Sequence, residues 1–306
     1  MSKSRENAKG KTSRAGAARR CLELLETLAY EPYRFSLAQI AEMHSLPKSS
    51  AHRLLGLLME AGLVEMEAAS RRYALTPRVL WIGSSYLRGS ALQRSAHVVM
   101  PQLSFQTGAM SHLGVWDGQS VLVLQSVDPP NTSSLFVEVG ERRPAHATAL
   151  GKALLAYRPA AALKEFCQGG LPLFTPNSIS TRAALEEELR RVREAGYAVD
   201  NEEYALGLRC IAAPIRSQEG VIGALAISGG LDLIATEGIP RLAQSVQDAA
   251  LRVSALMGYR PLSARIDLGK NSRTPSFRGR QIRGGDAQPA AESAGEPGTR
   301  SRRGRG

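Results

Sequence analysis

The sequence predicts an α+β protein: an N-terminal winged helix-turn-helix, a linker helix, and a C-terminal α/β domain built on an antiparallel sheet. Three observations point to it. Residues 16–76 hold three short amphipathic helices and a small hairpin, with a tight turn before the third helix. From Met110 onwards, strand pairs alternate with amphipathic helices. The chain of 306 residues, 43% of them hydrophobic, is long enough for two modest domains with real cores.

The elements follow in order. The segment AARRCLELLETLAY places Leu22, Leu25 and Leu28 at helical spacing, and the stretch Tyr30 to Phe35, with Pro32, breaks that helix. SLAQIAEMHSL then starts on Ser36 as an N-cap, with Leu37, Ile40, Ala41 and Met43 towards one face. A turn at His44, Ser45 and Leu46 leads into Pro47, which suits the first turn of a third helix ending near Gly62. Its buried stripe is Ala51, Leu54, Leu55 and Leu58. VEMEAASRRYAL reads as two strands around an Ala-Ser turn, the wing.

The third helix concentrates its hydrogen-bonding side chains at the front, whereas an ordinary amphipathic helix spreads its polar face along its length. Lys48, Ser49, Ser50, His52 and Arg53 fall off the buried stripe, where a recognition helix meets base edges and phosphates in the major groove. Arg53 suits a bidentate contact to guanine, and Lys48 with the serines suits phosphates. Arg71 and Arg72 in the wing would lie over the neighbouring backbone. Double-stranded DNA is therefore the expected partner.

TPRVLWIGSSYLRGS carries Val79, Leu80, Ile82, Tyr86 and Leu87 at helical spacing and forms the linker, 77–91, with another helix beginning near Leu92. Trp81 either dimerises the chain or packs on its own domain. In the second domain, 92–258, SHLGVWDGQSVLVLQSVD is two strands around Asp117-Gly118, and SLFVEVGERRPAHA a strand leading to a loop. ATALGKALLAY and residues 160–168 are helical. STRAALEEELRRVREAGYAVD is an amphipathic helix with Leu185, Leu189 and Val192 inside, stopping at Gly196. CIAAPIRSQEGVIGALAISGG is a hairpin around Gln218-Glu219-Gly220, and a last helix runs from about Glu237 to Met257. The helices are segregated from the sheet.

The net charge of +11 resides in the two ends. Residues 1–20 hold seven Lys/Arg against one acid and residues 259–306 eleven against four, which leaves −2 for residues 21–258. Segments 1–15 and 259–306, rich in Arg, Ser, Gly and Pro, are expected to be disordered and to attract polyanions in a salt-dependent way. No apolar run reaches the ~18 residues of a membrane helix, and no apolar stretch follows the N-terminal charges as in a secretory signal. Cys21, Cys167 and Cys210 have no metal-ligand spacing and cannot all pair, which fits a reduced cytoplasmic setting without a metal. No cofactor motif occurs.

Several residues of the second domain have the chemistry of a binding site. The helix in ATALGKALLAY offers free backbone N–H groups near Ala149 and Leu150 to a carboxylate. Asp200 ends a strand at a loop mouth, where it either accepts a hydrogen bond from a ligand or caps the chain. Cys210 and Ser228 face one another across the hairpin, Cys210 as ligand contact or as small buried hydrophobe. His146 either supports its loop or touches a ligand. Two other classes compete with a regulator: a hydrolase using Cys210, His146 and Asp200, and a sequence-tolerant architectural DNA binder driven by the basic ends.

Taken together, LPKSSAHRLL, PAHATALGKALLA, and DNEEYALGLRCIAAPI followed by ALAISGG resemble the IclR family of bacterial transcriptional regulators, over residues 16 to 258. The resemblance implies a winged-helix DNA-binding domain joined by a helical linker to a GAF-like effector domain. It also implies homodimers that pair into tetramers on palindromic DNA, and control by a small metabolite, often a carboxylate or aromatic acid. The family's ligand positions fall on Ala149, Leu150, Asp200, Leu208, Cys210 and Ser228. Ala226 stands where some members have a serine, which makes the site more apolar and points to an effector bulkier or less polar than a two- or three-carbon keto acid.

Overall fold

A computed structural model describes residues 16–29, 33, 35–130 and 139–260. The break around Pro32, most of SLFVEVG and nearly all of the two basic ends lie outside the described residues.

Residues 16–29 form helix α1. Leu24 and Leu28 are its buried positions, with Cys21 and Leu25 packed beside them, whereas Leu22 is 62% exposed. The spacing 21, 24, 25, 28 is a full helical stripe, and Leu22 lies outside it. Strand β1 (Phe35–Ser36) and helix α2 (Leu37–Met43) follow. Ser36 caps α2 in a reciprocal capping box with Gln39. Ile40 and Ala41 are buried, but Met43 is exposed and does not join the core face. Helix α3 (Lys48–Glu60) buries Ala51, Leu54, Leu55 and Leu58 against α1 and α2. It ends in a Schellman motif, in which Gly62 N–H donates to Met59 O at 2.9 Å and Leu63 N–H to Leu58 O at 2.9 Å. Gly62 sits at φ +69°, as that motif requires.

Strands β2 (Val64–Met66) and β3 (Arg72–Leu75) make the wing, and β1 adds to β3 so that the sheet order is β1-β3-β2. Val64 and Tyr73 anchor it in the helical core. Helix α4 (Pro77–Gly89) has no buried residue; Leu80, Trp81, Ile82 and Tyr86 are all exposed, and Leu87 alone packs on the core of the second domain.

Helix α5 (Ala91–Thr107) leads into a six-stranded antiparallel sheet. Its strands are β4 (Met110–Asp117), β5 (Ser120–Val127), β6 (Arg142–Pro144), β7 (Ala198–Asn201), β8 (Leu208–Ser217) and β9 (Gly220–Gly230), in the order β6-β5-β4-β9-β8-β7. The remaining helices are α6 (Ala149–Leu155), α7 (Ala160–Gln168), α8 (Arg182–Ala195) and α9 (Ile239–Leu256). They occupy both faces of the sheet, a distribution that element order does not dictate.

Strand alternation assigns each face its residues. Leu113, Leu124, Ile211, Ile215, Leu225 and Ile227 pack with α5 and α9. Val121, Ala212, Ala224 and Ala226 pack with α6 and with Leu185, Leu189 and Val192 of α8. Each of those three α8 side chains contributes roughly 1.5–3 kcal/mol by burial. Small alanines on the second face let α6 come close to the sheet and leave room for a cavity beside it. Among the described residues no helix is long and apolar enough to cross a membrane.

Candidate DNA interface and ligand cavity

The turn before α3 is closed by Leu46 N–H donating to Ala41 O at 2.8 Å, and the Thr27 hydroxyl of α1 meets His44 Nε2 at 2.8 Å. With the Leu54/Leu55/Leu58 stripe held inside, the opposite side of the first turns must face outwards. Lys48, Ser49, His52 and Arg53 are exposed there and Ser50 is half-buried, so five neighbouring side chains present donors on one surface. In the wing, Arg71 N–H donates to Glu67 O at 2.9 Å and Glu67 N–H to Arg72 O at 2.9 Å, while the Ser70 hydroxyl donates to the Glu67 carboxylate. Arg71 is exposed at the tip, in the left-handed region at φ +57°, and Arg72 is half-buried beside it.

The second site is a cavity of about 420 Å³, counting its mouth, between the alanine-rich sheet face and the start of α6. All six positions singled out in the sequence, Ala149, Leu150, Asp200, Leu208, Cys210 and Ser228, line it. Cys210 and Ser228 are cross-strand partners, and Asp200 pairs with Cys210 on its other side. Ala226 adds a bare apolar surface where a serine would have placed a hydroxyl. Sequence reasoning missed His112, Val123, Arg143, Thr148 and Tyr204, which complete the walls.

Arg143 is the most consequential of these. Its side chain is 11% exposed, and its guanidinium donates to Glu141 at 2.6 Å and lies 4.6 Å from the centre of the Tyr204 ring. Its cation can meet a carboxylate in two parallel hydrogen bonds. The sequence signal was present in ERRPAHA, but strand β6 pairs only with the edge of β5, and no local pattern connects Arg143 to Asp200. Helix α6 has only seven residues, so its dipole is small; the Thr148 side chain caps Gly151 N–H, and Ala149 and Leu150 keep N–H groups without partners inside the helix.

His112 is buried between Ser228 Oγ at 2.6 Å and Ser126 Oγ at 3.1 Å. Burial, aided by the Arg143 charge, pushes its pKa down to about 3, so the ring is neutral and orients the Ser228 hydroxyl. Asp200 Oδ1 accepts from Glu203 N–H at 2.8 Å and Tyr204 N–H at 3.4 Å. It therefore caps the loop and also faces the cavity. Burial raises its pKa to about 6 and the Glu203 carboxylate adds to the rise, against the opposing amide donors and Lys152. The folded carboxyl thus keeps its proton to a higher pH than the unfolded chain does, and this group's contribution to stability falls between about pH 4 and 6. Asp200→Asn retains the Oδ1 acceptor without the ionisation. Relative to the parent, it should gain about 1.4 kcal/mol between pH 5 and pH 8 in urea unfolding, the remainder of the effect lying below pH 5; a difference independent of pH contradicts this.

The hydrolase alternative fails on geometry. His146 Nε2–H donates to Pro172 O at 2.9 Å beside Phe166 and Phe174, and does not line the cavity. Burial pushes the Cys210 thiol well above its ordinary pKa, which suppresses the thiolate a nucleophile needs. His146 is a loop support.

A winged helix-turn-helix and a separate cavity-bearing sheet domain on one chain define the class of DNA-binding regulators with a small-molecule domain. Comparison with known proteins gives the family. The model described as IclR helix-turn-helix domain matches residues 17–68, and that described as bacterial transcriptional regulator IclR C-terminal matches residues 84–255. The glycerol operon regulatory protein of Streptomyces coelicolor is 36% identical over 242 residues, 78% of this chain and 95% of that protein. A crystal structure of an IclR transcriptional regulator from Alicyclobacillus acidocaldarius superposes with a TM-score of 0.70 at 28% identity, covering 79% of this chain and 99% of that one. An IclR homolog from Microbacterium hydrocarbonoxydans, solved in complex with 4-hydroxybenzoate, superposes at 0.66 with 26% identity over 79% and 99%. The chain belongs to the IclR family of bacterial transcriptional regulators, with a helix-turn-helix DNA-binding domain and a C-terminal effector-binding domain, and is not an enzyme.

Proposed function

We propose that the protein is a cytoplasmic homodimer or tetramer that recognises a palindromic operator and controls catabolic genes in response to a small organic acid. Residues 16–76 form the DNA head, 77–91 the linker and 92–258 the effector domain. Two copies of α3 enter the major groove on half-sites one helical turn or a multiple apart. Arg53 reads guanine, Lys48, Ser49, Ser50 and His52 hold the surrounding groups and phosphates, and Arg71 and Arg72 bind backbone beside the wing. The exposed apolar face of α4, with Trp81, supports pairing of two chains.

The observation that carries the effector assignment is the Arg143 guanidinium, nearly buried in a cavity walled mostly by apolar side chains. It takes the carboxylate of the acid, with the first-turn N–H groups of Ala149 and Leu150 assisting. Ser228 and Asp200 meet a polar substituent, and Leu208, Cys210 and Ala226 cover the apolar part. Binding of 4-hydroxybenzoate by the Microbacterium homolog and the operon control named for the Streptomyces relative are consistent with this assignment.

The test has two parts. Selection of bound sequences from random duplex DNA should recover a palindrome with the full chain and with residues 16–258 alone. Recovery of no motif from the shorter chain would place binding in the basic ends. Arg53→Ala should cost roughly 1–3 kcal/mol of discrimination at one base position while leaving others intact; an unchanged preference profile removes Arg53 from base reading. In a screen of organic acids by calorimetry, Arg143→Gln should weaken binding by roughly 10- to 100-fold. Equal binding by that variant would reject the carboxylate assignment.

A further inference from the structure

We propose that the effector is an elongated amphiphilic acid, its head held beside Arg143 and its apolar body lying in a second, outer chamber that continues the first. This rests on the acid-binding reading above and specifies the shape of the ligand.

The outer chamber is larger than the inner one, about 880 Å³ against about 420 Å³ on the same measure. The two share the wall residues Leu208 and Ser228. The sheet explains why they adjoin. Successive cavity-facing pairs along β8 and β9 are Ala212 with Ala226, Cys210 with Ser228, and Leu208 with Gly230. Each step of two residues advances roughly 7 Å, so the same sheet face runs from the inner chamber through Ser228 to Gly230 at the outer one.

The chemistry changes along that path. Inside stand a cation, an imidazole, a carboxyl and the hydroxyls of Thr148, Tyr204 and Ser228. Among the described residues around the outer chamber, Ser228 at the shared wall is the one with a polar side chain. Gly108, Gly207, Gly229 and Gly230 leave much of its lining as bare backbone, and Leu206 and Leu233 stand over it 66% and 44% exposed. A monomeric fold gains nothing from such leucines at a chamber mouth; a ligand with an apolar body covers them. A two- or three-carbon acid would fill only the inner chamber and leave this surface in water.

Calorimetry on the full chain with acetate, butyrate, hexanoate and octanoate tests the proposal, with 1-octanol as the headless control. Affinity should rise by up to roughly fourfold per methylene once the chain enters the outer chamber, and octanol should bind far more weakly than octanoate. Gly230→Leu places a side chain in the chamber, since a Cβ there would have no atom closer than 4.0 Å. It should reduce octanoate affinity at least tenfold and leave butyrate unchanged. Leu206→Asp, on an exposed side chain, should act in the same direction. Short acids binding as tightly as long ones would overturn the two-chamber proposal while leaving the Arg143 assignment standing, and would assign the outer chamber to a protein segment or a second copy of the chain. Failure of every acid, short and long, would overturn both.

Discussion

Gly151→Ala is expected to unfold the effector-binding domain or to destabilise it by more than about 3 kcal/mol. A Cβ at this position would lie 2.2 Å from the Ala145 carbonyl oxygen and 2.3 Å from its Cα. These are backbone atoms, and their segment is pinned on both sides. The Thr148 hydroxyl donates to Pro144 O at 2.8 Å, and His146 is tied to Pro172 O. Helix propensity alone would favour alanine by about 1 kcal/mol, so the sign of the effect separates packing from propensity. Gly83→Ala in α4, where nothing lies within 4 Å of the added carbon, is the matched control and should be neutral or slightly stabilising. Thermal unfolding of the two variants decides the matter. Equal melting of Gly151→Ala and the parent would mean that α6 does not approach Ala145 this closely.

Lys152→Met should cost about 3–5 kcal/mol, although methionine fills nearly the same volume. Lys152 is 1% exposed and donates to Glu203 and, at 3.2 Å, to Glu188. Its removal strands a buried carboxylate beside Asp200. The loop cannot turn Glu203 towards water easily, because the Ser178 hydroxyl donates to Glu203 O at 2.6 Å and the Thr175 hydroxyl to Glu202 O at 2.6 Å. Adding Glu203→Leu should recover most of the loss, since the penalty belongs to the unpaired charge rather than to the missing attraction. A double variant no more stable than Lys152→Met would mean that the cost arises from packing around α6. The same loop bears Tyr204 and is capped by Asp200 at the end of β7, so the ion pair also holds one wall of the cavity.

Much of this fold was legible in the sequence wherever the signal is local. The α3 stripe, the Ser36 cap, the α8 stripe with its Gly196 stop, and both hairpin turns depend on residues within a few positions of one another. Misplacements arose where faces had to be chosen. Leu22 and Met43 are apolar and periodic, yet the stripes pass beside them. Strand β1 has two residues and exists only because Phe35 and Ser36 pair with Tyr73 and Arg72, more than thirty positions away. In the cavity, the family-like motifs located six wall residues. Arg143 and His112 escaped because their contacts with Tyr204 and Ser228 span 61 and 116 positions. Burial of a charged or titratable side chain leaves no trace in local periodicity.

Ser90 is both the last boundary of α4 and the N-cap of α5, accepting from Gln93 N–H at 3.2 Å. The two helices therefore meet at a single non-helical residue, and the Arg94 guanidinium spans the junction by donating to Arg88 O at 2.7 Å. Helix α5 reaches the sheet directly: the Ser104 hydroxyl donates to Ser111 Oγ at 2.8 Å, one peptide away from His112 in the cavity wall. On the far side of Ser90, the 13 residues of α4 form an arm about 20 Å long. A 10° swing at this elbow moves the distal end of the arm by roughly 3 Å, close to the 3.4 Å rise per nucleotide along a strand. Ser90 is thus the fulcrum at which a small rotation between α4 and α5 would be enlarged to the scale of one base-pair step.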